Sequence, residues 1–342
     1  MMGGLKLNWE GLKLVMEMMK FRLTLMEAKG STGKVGLVVE VFELMEEEEK
    51  GEEISDFSSL PEGVVAKILS FTTPSDACRS SVVSTTFVAA AQSDIVWDSF
   101  LPTDWEILIS RRKPSNLNFD PISSSKKEIF FSLCDTPLII DDGNKSFSLD
   151  KWSGKKCIML GARELSIIWS DMPTYWTWEP HPESRFAEVA VLLNVWWLEI
   201  KGKLSCKMLS PATTYAAYFV FKMDERRYYG FDIVAADAAV AIVDGECCSS
   251  RVCLDPFLDI APPKRRRTPC LRRNPLGNSM SRAKQPQERH DGWFELELGE
   301  LHNNGGDDEV EFFLKEVNCN YSKSGLIVQG IDIRPKISRD LA

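Results

Sequence analysis

Residues 167–180 read IIWSDMPTYWTWEP and gather Trp169, Tyr175, Trp176 and Trp178 around Asp171. Flat rings beside short polar side chains suit one kind of chemistry. A pyranose presents an apolar face of C–H groups and a fringe of hydroxyls; an indole can cover the first, and a carboxylate can accept hydrogen bonds from the second. Trp176 and Trp178 stand two apart, so in a strand they face the same way, about 7 Å from each other, within reach of one saccharide or of two neighbouring ones. Tyr175 points oppositely. Trp169 lies across the turn sequence Ser-Asp-Met-Pro and shares strand parity with the apolar Leu165 and Ile167, which assigns it mainly to the interior. Pattern alone leaves Trp176 and Trp178 open between core and ligand platform. It leaves Asp171 open between hydroxyl acceptor and turn cap.

Other chemistry finds less support. Glycoside hydrolysis needs two carboxyls about 5–10 Å apart across a sugar. Asp171, Glu179 and Glu199 are near the rings in sequence, but no acid–base constellation stands out among them. The three histidines are scattered, and no glycine-rich phosphate loop is present. Cys247, Cys248 and Cys253 cluster among nine cysteines, without the paired spacing or neighbouring histidines of a structural zinc site. A non-catalytic binding protein without metal or cofactor is expected. The net charge of −9 argues against a general nucleic-acid binder.

A chain of 342 residues exceeds the size at which one core stops growing, about 250–300 residues, so at least two domains must position these groups. Residues 58–102 carry helical signals. Leu-Pro-Glu opens one helix, whose apolar Val64, Val65, Ile68 and Leu69 recur at helical spacing. Thr73-Pro74 opens a second with i, i+4 pairs Val82/Thr86 and Val83/Phe87, and SDIVWDSFLP forms a third. Three short helices bury little by themselves, so this module should be completed by a partner. Residues 103–150 read as a connector with two short amphipathic helical patches, DWEILISRR and SKKEIFFSLC, followed by short β-rich runs and a turn signal at Asp142-Gly143-Asn144 near its end. From 151 onward, short runs of period-two alternation follow without intervening helices, the pattern of an all-β antiparallel sandwich or jelly roll. In VWWLEI (195–200), both alternating sets are largely apolar, as in a central strand.

Residues 60–102 resemble an F-box. Leu-Pro-Glu, Ile-Leu-Ser, Pro-x-Asp, Val-Ser-x-x-Phe and the late Trp97 stand in the family's order. The resemblance implies docking on the Skp-family adaptor of a cullin–RING ubiquitin ligase. It puts Leu60, Pro61, Ile68, Leu69, Val83, Phe87 and Trp97 in or just behind the adaptor interface. Burial in the module's own core is the competing position for Ile68, Leu69 and Val83, whereas Pro61 and Trp97 are assigned to the interface. Residues 157–335 resemble the plant phloem-lectin family, related to the tobacco-type jasmonate-induced lectin, through ARELSIIWSDMPTYWTW, SRFAEVAVLLNVWWLEIKGK, LSPATTYAAYFVFK, VCLDP and DGWFELELGEL. Lectin members bind oligosaccharides containing N-acetylglucosamine. That implies Trp176 and Trp178 as the platform, helped by Tyr175, Trp169 and Asp171. The fold expectation is therefore a small all-α F-box of three short helices (55–102), followed by an all-β lectin-like domain (151–337). The expected partners are the adaptor, through it a cullin, and a glycan or glycoprotein target.

The remaining segments are less informative. Residues 1–54 end in the acidic run EEEEKGEE and read as a weakly ordered extension. The stretch at about 259–286 interrupts the lectin pattern and is rich in Pro and basic residues. It reads as a disordered loop, and PKRRR within it resembles a nuclear-import signal. No continuous apolar stretch matches a signal peptide or a membrane span, so a cytosolic or nuclear location is expected.

Overall fold

The computed structural model describes residues 60–112, 123–242, 247–257, 283–318 and 321–336. The expected extension at 1–54, and nearly all of the expected insert with its PKRRR motif, lie outside the described residues. Two compact units divide the chain.

In the first unit, the described residues 60–103 hold four short helices where three were expected: α1 (Glu62–Leu69), α2 (Pro74–Ser80), α3 (Thr85–Ala90) and α4 (Asp94–Phe100). The segment read as one long second helix breaks because it contains two caps. Thr73 accepts from the Asp76 backbone N–H, and Ser84 accepts from that of Phe87. Helices this short persist only through packing. Val65, Leu69, Phe87, Val96, Trp97 and Phe100 supply it and are buried.

A later helix, α6 (Lys126–Asp135), follows α5 (Trp105–Ser110) in the chain. The start of α6 is held by a capping box. The Ser125 backbone N–H donates to the Glu128 carboxylate at 2.9 Å, and the Glu128 N–H donates to Ser125 Oγ at 3.3 Å. Its Phe130 and Phe131 lie 5.2 and 5.1 Å from the Trp97 ring. The expected connector thus completes part of the helical core itself.

The second unit is a β-sandwich, all its described strand pairs antiparallel. One sheet runs β1 (Leu138–Ile140), β2 (Lys145–Leu149), β3 (Lys156–Gly161), β14 (Leu326–Pro335), β8 (Thr213–Met223), β12 (Phe294–Asn303) and β11 (Gln287–Glu288). To it are added β5 (Trp176–Glu179) and β6 (Val189–Leu192), the latter pairing both β5 and β14. The other sheet runs β10 (Cys247–Val252), β9 (Ala236–Ile242), β13 (Glu309–Glu316), β7 (Leu198–Ser205) and β4 (Ser166–Ile167).

The β body starts before residue 151, because β1 and β2 form a hairpin that continues onto β3. The expected turn lies between them, with Asp141, Asp142 and Gly143 at φ of 48°, 55° and 93°. The sheets meet closely at Gly202 of β7. A Cβ there would stand 3.3 Å from Ile331 and Leu160 methyls of the facing sheet.

The VWWLEI segment departs from expectation. Strand β7 begins only at Leu198, and Trp196 and Trp197 precede it with 61% and 41% of their surface exposed. Leu198 and Ile200 are buried, as their parity predicts. The chain is diverted before them, where Val195 bridges to Lys323. The Lys323 ammonium is buried, donates to the Trp196 carbonyl at 2.8 Å and pairs with the buried Glu316.

Candidate saccharide site and adaptor surface

The β4–β5 connection builds the aromatic site. Strand β4 ends at Ile167, and the next residues turn sharply. The Ser170 N–H donates to the Ile167 carbonyl, and the Met172 N–H donates to that of Trp169. Trp169 adopts a left-handed φ of 59°, uncommon for a side chain of this size. This turn cancels the strand parity that assigned Trp169 to the interior. Leu165 and Ile167 are buried as expected, but Trp169 is 38% exposed and packs on Tyr175 with ring centroids 5.3 Å apart.

The other two rings keep their predicted common side, yet that side is covered. The Trp176 indole N–H donates to the Ile168 carbonyl at 3.1 Å, and the Trp178 indole donates to the Ser170 carbonyl at 3.0 Å. Each bond spans eight residues, so the 168–170 segment runs alongside both indoles in register. Trp176 is fully buried and belongs to the interior. Trp178 is half-buried. The expected platform of two open rings is therefore corrected to one partly open indole, backed by a buried one.

Beside Trp178 lies a pocket of about 420 Å³, lined by Arg163, Ser170, Asp171, Pro173 and Thr177 together with both indoles. Asp171 is exposed and lines the opening. Arg163 had not been singled out from sequence. It lies in the turn after β3, with its guanidinium carbon 3.7 Å from the centre of the Trp178 ring. Glu188 accepts from its Nε at 2.9 Å and its Nη2 at 2.7 Å. The only sequence signal for Arg163 was its place in the ARELSIIW segment; a residue that meets Trp178 through the fold has no spacing rule to reveal it.

Trp197 is an exposed ring outside this pocket. Its indole N–H donates to Glu199 at 3.0 Å. A hydrogen bond from Lys201, followed by the one from Trp197, holds the Glu199 carboxyl below its ordinary pKa.

In the helical unit, Pro61 is exposed, and Leu60, Ile68 and Val83 are half-buried. Leu69, Phe87 and Trp97 are buried. For Trp97 the interface assignment is corrected: its ring is enclosed by Phe100, Phe130 and Phe131, and its indole N–H donates to the Ala91 carbonyl at 2.7 Å. Between residues 60 and 102, Val82, Val88 and Ile95 are instead the large apolar side chains left open, at 87%, 44% and 56% exposure. Sequence reasoning placed Val82 in one helix with Thr86, because the break at Ser84 was not foreseen.

Among the described residues, no group of three or more His, Cys, Asp or Glu side chains forms a metal site, and no helix is long and apolar enough to cross a membrane.

Comparison with known proteins gives two family matches. Residues 155–335 match the phloem protein 2 model, and residues 57–99 match the F-box domain model. Among curated Arabidopsis thaliana proteins, the chain is similar to F-box protein PP2-B10, at 46% identity over 83% of this chain and 95% of that protein. It is also similar to F-box protein PP2-B1, at 40% identity over 83% and 91%. F-box protein SKIP3 matches at 41% identity over 82% and 89%.

Proposed function

The chain belongs to the F-box proteins that carry a phloem protein 2 domain, and on that premise we propose that it is the substrate-recruiting subunit of a cullin–RING ubiquitin ligase. The F-box docks an Skp-family adaptor, and the β-sandwich recognises N-acetylglucosamine-containing glycans on target glycoproteins. Ubiquitin transfer belongs to partner subunits. The cytosol or nucleus is the proposed site of action.

The observation that carries the glycan reading is the pocket beside Trp178. It combines part of an indole, the Asp171 carboxylate and the polar Ser170 and Thr177 in one concavity. Such a mixture suits a ligand with both an apolar face and hydroxyls. The exposed Val82, Val88 and Ile95, with Pro61, support adaptor docking as apolar side chains that a helical module leaves open to a partner. Replacing Leu60 and Pro61 together with Ala should abolish co-purification with the adaptor; undiminished binding by the folded double variant would remove the docking assignment.

One observation favours a second reading. Trp176 is buried, and Arg163 occupies one face of Trp178. Little open ring remains, as fits a sandwich that binds polypeptide through its loops. A glycan array probed with the full chain separates the two readings. The glycan reading predicts N-acetylglucosamine oligomers among the bound glycans for wild type, and their loss in Trp178→Ala.

A further inference from the structure

We propose that Arg163 is a specificity-determining residue of the Trp178 pocket, donating through Nη1 to a carbonyl oxygen of a neutral saccharide. The inference rests on the saccharide reading above and deepens it. A guanidinium has five N–H donors in a fixed plane. Glu188 takes one from Nε and one from Nη2, both at the same carboxylate oxygen. Among the described residues, Nη1 makes no hydrogen bond, and Arg163 lines the pocket.

The arrangement is better suited to presenting a donor than to stabilising the fold. Arg163 and Glu188 are 42% and 41% exposed, and ion pairs so open to water contribute little to stability. What they do achieve is orientation. Contact with Trp178 and the two bonds to Glu188 hold the planar group in one pose, which lowers the ordering cost of binding a ligand.

Charge then selects the ligand class. Glu188 neutralises Arg163, whereas Asp171 has no ion pair among the described residues. The pocket therefore carries a local negative charge. A uronate or other anionic sugar meets repulsion from Asp171 without a free cation to offset it. A neutral sugar with an acetamide carbonyl offers the acceptor that Nη1 lacks, and hydroxyls for Asp171.

The test is a calorimetric titration of the full chain with three trisaccharides: the N-acetylglucosamine β-1,4 trimer, the glucose β-1,4 trimer and a galacturonate trimer. Wild type should prefer the acetylated trimer over the glucose trimer by about tenfold, the scale of one hydrogen bond from a charged donor, and should not bind the galacturonate trimer. Arg163→Ala should lose the preference, binding the two neutral trimers alike at an unchanged melting temperature. Arg163→Lys, which keeps the charge but not the fork, should not restore it. A folded Arg163→Ala chain that keeps the wild-type ratio overturns the role of Arg163 and leaves the saccharide reading standing. Wild type that binds none of the trimers overturns both.

Discussion

Trp97 and Val82 show how residues of one small helical unit divide between building it and facing outward. Trp97 is fully enclosed, and Val82 is almost fully open. Trp97→Ala should cost about 3–5 kcal/mol of unfolding free energy, read by urea denaturation, because it deletes a large ring from a closed aromatic cluster. Val82→Glu should change stability by no more than about 0.5 kcal/mol, yet reduce co-purification with the adaptor. The opposite pattern would reverse their roles. Spacing alone predicted that Trp176 and Trp178 share a side, and they do. It did not predict what lies on that side, because the 168–170 segment reaches the indoles only after the chain turns at Trp169. Nor did it find Arg163, whose contact with Trp178 is made by tertiary structure.

At the scale of elements, period-two alternation identified most of the sandwich strands, since antiparallel strands with one buried face carry that pattern. It missed local interruptions. The start of β7 is displaced by a bridge and by the buried Lys323–Glu316 pair, both remote in sequence from Trp196. The second helix divided because a serine inside the apolar pattern serves as a cap. Lys323→Met should destabilise the protein by about 3–5 kcal/mol, because it strands a buried carboxylate. Adding Glu316→Gln should recover part of that loss, and equal stabilities of the single and double variants in urea would remove the pair's role. Gly330 is a second constraint on the sheet. A Cβ there would fall 1.9 Å from the Leu160 carbonyl oxygen on β3, so Gly330→Ala should lower the melting temperature and its absence of effect would show that β3 and β14 can separate freely.

For the whole molecule, the order of helical unit and antiparallel sandwich was legible, because it depends on composition and periodicity over long stretches. The family followed from motifs in order, and the family models match the same two regions. The boundary was less legible: helix α6 adds aromatic residues to the helical core, whereas β1 and β2 join the sheet, all within a span whose Pro-punctuated sequence reads as a connector. On the proposed function, the helical region serves the ligase adaptor and the sandwich serves the target. The most direct measurement is capture of an N-acetylglucosamine-bearing glycoprotein by the full chain in complex with its adaptor, repeated with free N-acetylglucosamine oligomers as competitor and after enzymatic removal of the glycan. The account predicts that competitor releases the glycoprotein and that deglycosylation prevents capture. Capture unchanged by both would contradict it and identify the target's polypeptide as what the sandwich reads.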